Sequence, residues 1–157
     1  MKTKVMSVVC VLALLLTLTA CGGSDSQPQK SAAEIADAIY STQTFQDTLN
    51  AIDADMLGDY YRIDAADLTD SKVYVSGSFS TAEEIAVFQA SSSDAVENIK
   101  KAIDTRLEDL KLAFENYFPG EMTKINDPVL ITKGTTVVLV LADDTAAVSD
   151  QVNELLK

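Results

Sequence analysis

Five polar and aromatic side chains in the middle of the sequence could together bind a ligand: Tyr60, Tyr61, Tyr74, Glu84 and Arg106. An arginine and a carboxylate that meet in a partly buried place form a strong, two-pronged ion pair, and neighbouring tyrosines add hydroxyl groups. Such a pocket, between a hairpin and a helix, would bind a peptide or a glycan. The alternative is structural: the arginine pairs with a strand glutamate and the tyrosine rings join the core. We favour the structural role and keep the pocket as the binding hypothesis.

Two pairs of adjacent carboxylates, Glu83-Glu84 and Asp143-Asp144, are candidates for acid/base chemistry. Neighbouring residues in a strand point to opposite faces of the sheet, so neither pair forms a natural catalytic dyad. Asp143-Asp144 is better explained as the start of the last helix, where carboxylates face the positive end of the helix dipole. We predict no catalytic residue from either pair.

The acidic stretch from Asp53 to Asp59 is faintly similar to a calcium-binding loop. Such a loop needs an oxygen ligand at its fifth position and usually a glutamate at its twelfth. Leu57 and Asp64 stand at those positions, and the apolar residues around them favour a packed helix. We therefore interpret the stretch as an acidic turn and predict no metal site.

Nucleophilic catalysis has little support in the sequence. Histidine is absent, which removes the commonest general base and the commonest metal ligand. Ser76, Ser78 and Ser80 lack the glycine pattern of a nucleophile elbow, although a serine–lysine arrangement stays open. The triplet Lys133-Gly134-Thr135 is similar to one in penicillin-binding proteins, but the partner motif Ser-x-x-Lys is missing. We expect no cofactor.

The N-terminus has the order of features that defines a secretory signal. Lys2 and Lys4 precede an uncharged apolar run, Val5 to Leu18, and Leu18-Thr19-Ala20-Cys21 follows as a lipobox. We predict cleavage between Ala20 and Cys21 and lipidation of the Cys21 thiol. The alternatives are an uncleaved membrane anchor, which needs roughly 20 apolar residues, and an ordinary secretory signal.

Removing residues 1–20 leaves an acidic protein without a usable thiol. Cys10 would leave with the signal and Cys21 would bear lipid, so no disulfide or thiolate site remains. Ten basic residues then face 24 acidic ones, for a net charge of −14. Such a charge repels nucleic acid, so we expect no nucleic-acid partner. The small polar residues of 21–30 form a flexible tether to a single domain, residues 31–157.

The remaining chain predicts an α+β domain. Ser31 and Glu34 form a capping box for a first helix. The predicted strands are Val73–Phe79, Glu84–Ala90, Val129–Thr132 and Thr136–Ala142, and Gly77 indicates a bulge or a close backbone approach. A long amphipathic helix lies between the two hairpins, and Pro119-Gly120 stops it. We predict a four-stranded, mainly antiparallel sheet in the order α-ββ-α-ββ-α, with helices chiefly on one face.

Several segments resemble a family of uncharacterised small lipoproteins of Gram-positive bacteria. They are Asp59-Tyr60-Tyr61-Arg62-Ile63, Tyr74-Val75-Ser76-Gly77, Glu84-Ile85-Ala86-Val87-Phe88, Ala102–Leu107, Phe114–Pro119 and Lys133-Gly134. The family is described as a domain of unknown function, so the resemblance implies a fold unit and a bacterial group without an activity. One departure is Thr135-Thr136, where relatives have asparagine and an aromatic residue.

The sequence predicts a non-enzymatic binding or accessory module, lipid-anchored at the outer face of the cytoplasmic membrane. Its partners would be the membrane, through the lipid, and an envelope protein, peptide or glycan. The alternative is a small envelope hydrolase that uses carboxylates. A transporter's solute receptor is disfavoured, because one domain of this size lacks the second lobe.

Overall fold

The computed structural model describes residues 29–157, which form five α-helices and one five-stranded sheet. The predicted signal peptide, the lipobox and most of the tether lie outside these residues. The helices are α1 (Ala32–Thr42), α2 (Leu57–Tyr61), α3 (Ser93–Phe114), α4 (Met122–Asn126) and α5 (Thr145–Leu155). The strands are β1 (Leu49–Ala51), β2 (Leu68–Ser76), β3 (Glu84–Ala90), β4 (Val129–Lys133) and β5 (Thr136–Leu141).

The sheet has the order β1-β2-β3-β5-β4, and all neighbouring strands are antiparallel. The α+β class is confirmed, whereas four strands in the order α-ββ-α-ββ-α was wrong. The additional strand β1 is only three residues long and pairs with the end of β2. Its flanking Thr and Gln residues dilute any apolar alternation, so the sequence pattern does not indicate a strand there.

Helices cover both faces of the sheet, which corrects the expectation that they pack chiefly on one face. On one side α3 packs with Ala86, Phe88 and Leu139 in a first core. On the other side α1 and α5 enclose Ile85, Val87, Val138 and Val140 in a second core. The run Val137–Leu141 is buried throughout, as expected for an interior strand with both faces covered.

Local signals place the helix starts as the sequence predicts. The Ser31 side chain accepts from the Glu34 amide, and the Glu34 side chain accepts from the Ser31 amide, so the capping box is present. Asp144 caps α5 by accepting from the amide of Ala147. Gly77 is a close backbone approach: a Cβ there would lie 2.9 Å from the carbonyl oxygen of Thr48.

The chain enters the domain at one end of the sheet. The Gln29 side chain donates to the Thr136 hydroxyl at the start of β5, and Gln89 near the end of β3 donates to the Lys30 carbonyl at 2.7 Å. The turn between β2 and β3 lies at the opposite end. Within residues 29–157, no helix is both long and apolar enough to cross a membrane.

Candidate functional site

A cavity of about 250 Å³ opens where the turn between β2 and β3 meets the C-terminal half of α3. Its walls are mostly apolar, and its charged groups come from the start of β3 and from the middle of α3. The lining residues are Tyr60, Val75, Ser76, Phe79, Thr81, Ala82, Glu83, Glu84, Arg106, Leu110, Ala113, Phe114 and Phe118.

The polar floor of this cavity is an ion pair between Arg106 and Glu84. Nη2 of Arg106 lies 2.7 Å from Oε2 of Glu84, and Nε lies 3.4 Å from Oε1. The buried Tyr61 hydroxyl donates to Oε1 of Glu84. The side chain of Glu84 is only 2% exposed and that of Arg106 is 16% exposed. Both oxygens of the carboxylate are therefore engaged by this chain's own donors.

The surroundings of Tyr61 and Arg106 keep both side chains protonated. Burial, followed by the charge of Glu84 and the hydrogen bond to it, raises the pKa of Tyr61 well above its usual value. Burial alone would lower the pKa of Arg106, but the charge and hydrogen bonds of Glu84 outweigh it, and the net shift is upward. Tyr61 therefore stays a hydrogen-bond donor and Arg106 a cation at physiological pH.

Aromatic rings surround the guanidinium group. The Cζ atom of Arg106 lies 5.2 Å from the centre of the Tyr60 ring and 5.8 Å from that of Tyr61. Both distances are within the range of a cation–π contact. The Tyr61 ring packs edge-on against Phe88, at 5.0 Å between centroids. The two tyrosines beside Arg106 thus differ: Tyr61 belongs to the core, and Tyr60 lines the cavity.

Arg106 lines the cavity, and one nitrogen of its guanidinium has no protein partner among residues 29–157. Among the described residues, the hydrogen bonds of Arg106 use Nε and Nη2 and leave Nη1 unpartnered. Within the same residues no buried side-chain nitrogen or oxygen lacks a partner, so Nη1 must be accessible to solvent. A ligand that enters the cavity can accept a hydrogen bond from this nitrogen.

The rim of the cavity exposes aromatic side chains. Phe79 in the turn between β2 and β3 is 68% exposed, and Phe118 after α3 is 44% exposed. Phe79 has a φ of 58°, in the left-handed region that disfavours a residue with a bulky side chain. Phe118 packs against the buried Phe114, with ring centroids 5.9 Å apart.

The structure brings four of the five sequence-predicted pocket residues together: Tyr60, Tyr61, Glu84 and Arg106. Tyr74 must be corrected, because it lies on the other face of the sheet, where its hydroxyl donates to Asp37 at 2.6 Å. Strand alternation explains this, since Val75 is the partner of Glu84 in the register of β2 and β3.

A second charged cluster, centred on Lys124, was not predicted from the sequence. The Lys124 ammonium lies 3.7 Å from Glu83, 3.0 Å from Glu121 and 3.4 Å from Asp143. Glu83 also accepts from the amides of Gln46 and Asp47, at 2.8 Å and 3.0 Å. Burial lowers the pKa of Lys124, but the Glu121 hydrogen bond and the three carboxylate charges outweigh it and raise the pKa overall.

The remaining sequence candidates have structural roles. The Ser76 hydroxyl donates to Asp47 at 2.6 Å, and the Ser78 amide donates to the same carboxylate at 2.8 Å. Lys133-Gly134-Thr135 contains the turn between β4 and β5, where Gly134 has a φ of 57°. No group of His, Cys, Asp and Glu residues in the described part of the chain could hold a metal ion.

The comparisons with known proteins identify the domain but not an activity. A family model described as "Domain of unknown function (DUF4358)" matches residues 42–142, which include β1 to β5, the Arg106–Glu84 pair and Lys124. Comparisons with curated proteins and with solved structures give no match. Because the match spans more than half of the chain, the protein belongs to the DUF4358 family.

Proposed function

We propose that this chain is a non-enzymatic binding module, lipid-anchored through Cys21 at the outer face of the cytoplasmic membrane of a Gram-positive bacterium. The cavity between the β2–β3 turn and α3 is its ligand site. The observation on which the binding function rests is the composition of this cavity. An apolar hollow with a few convergent polar groups at its floor is typical of ligand sites, and here exposed Phe79 and Phe118 surround its opening.

The state of the carboxylates favours binding over hydrolysis. Glu84 is held by Arg106 and Tyr61, and Glu83 by Lys124 and two backbone amides. A general acid needs a raised pKa and access to the substrate. The carboxylate oxygens of Glu83 and Glu84 are instead occupied by cations and hydrogen-bond donors of this chain, so they are not open to a substrate. No observation favours the envelope hydrolase as a second candidate.

Lipid anchoring is supported by the sequence Leu18-Thr19-Ala20-Cys21 and by the charged and apolar segments before it. Acyl chains bind a membrane by about 0.8 kcal/mol per buried methylene, so two chains hold a protein stably. The test is a Cys21→Ala variant expressed in a Gram-positive host. We expect the wild type in the membrane fraction and the variant in the medium or as unprocessed precursor; a wild type that stays soluble would contradict anchoring.

Binding is tested with Nile red, a neutral apolar dye that fluoresces in apolar surroundings. The purified domain should raise the dye's emission, and Ala113→Trp should abolish the rise. Ala113 is exposed and lines the cavity, so a large ring there covers its opening without entering the core. Leu112→Trp is the matched control, because Leu112 is 69% exposed and is not among the lining residues.

Two results would contradict the binding function. One is the absence of a fluorescence rise with the wild-type domain. The other is equal dye binding by the Ala113→Trp and Leu112→Trp variants, which would place the dye elsewhere on the surface. Circular dichroism of both variants checks that each is folded.

A further inference from the structure

The polar groups of the cavity restrict what it can bind. Arg106 is balanced by Glu84, so this ion pair at the floor carries no net charge. Its accessible donor is Nη1 of Arg106, and the Tyr60 hydroxyl has no hydrogen-bond partner among the described residues. A glycan presents many hydroxyls and loses affinity where they are left unpaired. The floor instead fits a largely apolar group with one or two hydrogen-bond acceptors.

The backbone conformation of Phe79 is a second, independent observation that points to a ligand at the cavity. A left-handed conformation is easy for glycine and strained for phenylalanine, and strained residues concentrate at ligand sites. The turn is nevertheless pinned on both sides of Phe79. The amides of Gly77 and Ser78 donate to Thr48 and Asp47, at 3.0 Å and 2.8 Å.

On the other side of Phe79, the amide of Ala82 donates to Glu121 at 2.8 Å. The fold therefore holds the backbone on both sides of Phe79, and Phe79 places an exposed aromatic ring at the cavity rim in a conformation that costs stability. Exposed aromatic residues are enriched at surfaces that bind polypeptides.

The net charge of the chain indicates the sign of the charge that a binding partner would have. The sequence has 24 acidic and 12 basic residues, a net charge of −12. Such a field attracts cationic partners and repels anionic ones, including anionic lipid head groups. A segment that has an apolar side chain with lysine or arginine beside it matches both the apolar walls of the cavity and the negative charge of the chain.

We propose that the cavity binds an apolar side chain of a cationic polypeptide segment, and that a backbone carbonyl of that segment accepts a hydrogen bond from Nη1 of Arg106. Phe79 and Phe118 pack on the flanks of the inserted side chain. This assignment rests on the binding function proposed above, and it names the partner as a protein rather than a glycan or a lipid.

The test compares three synthetic peptides by calorimetry with the purified domain: acetyl-KKLFLKK-amide, acetyl-EELFLEE-amide and acetyl-KKSGSKK-amide. The first has the apolar anchor and the positive charge, and each of the others lacks one of them. We expect the first to bind at least about tenfold more tightly than either control, and its affinity to fall as salt increases. Equal binding of the anionic apolar peptide, or of the cationic polar one, would overturn the proposal.

A variant separates recognition from structure. Phe79→Gly removes the ring and relieves the backbone, so the domain should unfold at an equal or higher temperature while peptide affinity falls at least about fivefold. Leu112→Ala is the matched control, because it removes an exposed apolar side chain outside the cavity lining and should leave affinity unchanged. Unchanged affinity in Phe79→Gly would overturn the role of the rim.

The dye and peptide experiments fail in different ways. If Nile red binds and Ala113→Trp abolishes it, but no peptide is preferred, the ligand class is wrong and the binding function stands. If neither the dye nor any peptide binds the folded domain, both proposals are wrong.

Discussion

Glu83 and Glu84 are adjacent in the sequence, yet they belong to two charge clusters with different designs. Glu84 faces one cation, Arg106, and this pair borders a cavity. Glu83 shares Lys124 with Glu121 and Asp143, so one cation serves three carboxylates. Lys124 is 3% exposed and is more deeply enclosed than Arg106 at 16%. The comparison shows how one step along a chain leads from the Arg106 pair at the cavity floor to a more deeply buried cluster around Lys124, the framework cluster.

The largest expected effect comes from removing the cation of the framework cluster. Lys124→Met leaves Glu83 buried without a counter-charge, and breaking a buried pair costs about 3–5 kcal/mol of unfolding free energy. Urea unfolding measures this loss. Lys100→Met is the control, since Lys100 pairs with Glu97 on an exposed helix face and should change stability by less than about 0.5 kcal/mol. Similar losses of unfolding free energy in the two variants would contradict a structural role of the Lys124 cluster.

A smaller loss is expected at the cavity. Arg106→Met leaves Glu84 with the Tyr61 hydroxyl, and we expect the domain to stay folded and lose about 2 kcal/mol. The loss is smaller than for Lys124 because Arg106 balances one carboxylate, whereas Lys124 balances three. Unfolding curves of the two variants at one pH give the comparison directly. If the Arg106 variant were less stable than the Lys124 variant, the Lys124 cluster would not be the larger contributor to stability, and the comparison would be wrong.

The acid dependence of stability should distinguish the clusters as well. The hydrogen bond from Gln46, and secondarily the charge of Lys124, lowers the pKa of Asp143 below its ordinary 3.8. A lowered pKa in the folded state adds stability above the unfolded pKa, and this stability disappears as the pH falls through the folded value. Asp143→Asn should therefore flatten the acid limb of the stability curve below about pH 4. Because its side chain is 60% exposed, the effect is less than about 1 kcal/mol.

The smallest effect concerns the two residues other than glycine that have a positive φ, among residues 29–157. Arg62 has a φ of 54° at the end of α2, and Phe79 has a φ of 58° at the cavity rim. Replacing each with glycine relieves backbone strain, and we expect Phe79→Gly to raise stability by about 0.5 kcal/mol. Arg62→Gly also loses the exposed pair with Asp109, so its net change should be near zero. Thermal unfolding measures both; a destabilised Phe79→Gly would indicate that the ring supports the fold.

Much of the fold was predictable because its signals are local. The alternating and buried runs Glu84–Ala90 and Val137–Leu141 indicated β3 and β5, and the capping residues Ser31 and Asp144 marked the starts of α1 and α5. The strand β1 was not predictable, since three residues acquire their strand conformation only from pairing with β2. The coverage of both faces was indicated only by the unbroken run in β5.

The site was predictable in part for the same reason. Alternation along β2 shows that Tyr74 and Val75 face opposite ways, but it does not reveal which of them shares a face with Glu84. That choice depends on the register between β2 and β3, in which Val75 meets Glu84. Lys124 is harder still, because its sequence neighbourhood is typical of an exposed helix. Its burial results from three segments that meet only in the folded domain.

The position of the chain entry has a consequence for how the domain works at a surface. Gln29 and Lys30 lie beside the end of β3 at Gln89, whereas the cavity lies beside its start at Glu84, about 17 Å away along the strand. Attachment through the N-terminus, as proposed above, would therefore leave the cavity at the far end of the sheet from the attachment point. Attachment of the N-terminus would then not affect the binding of a peptide at the cavity. The detached and the immobilised domain should bind the same peptide with equal affinity.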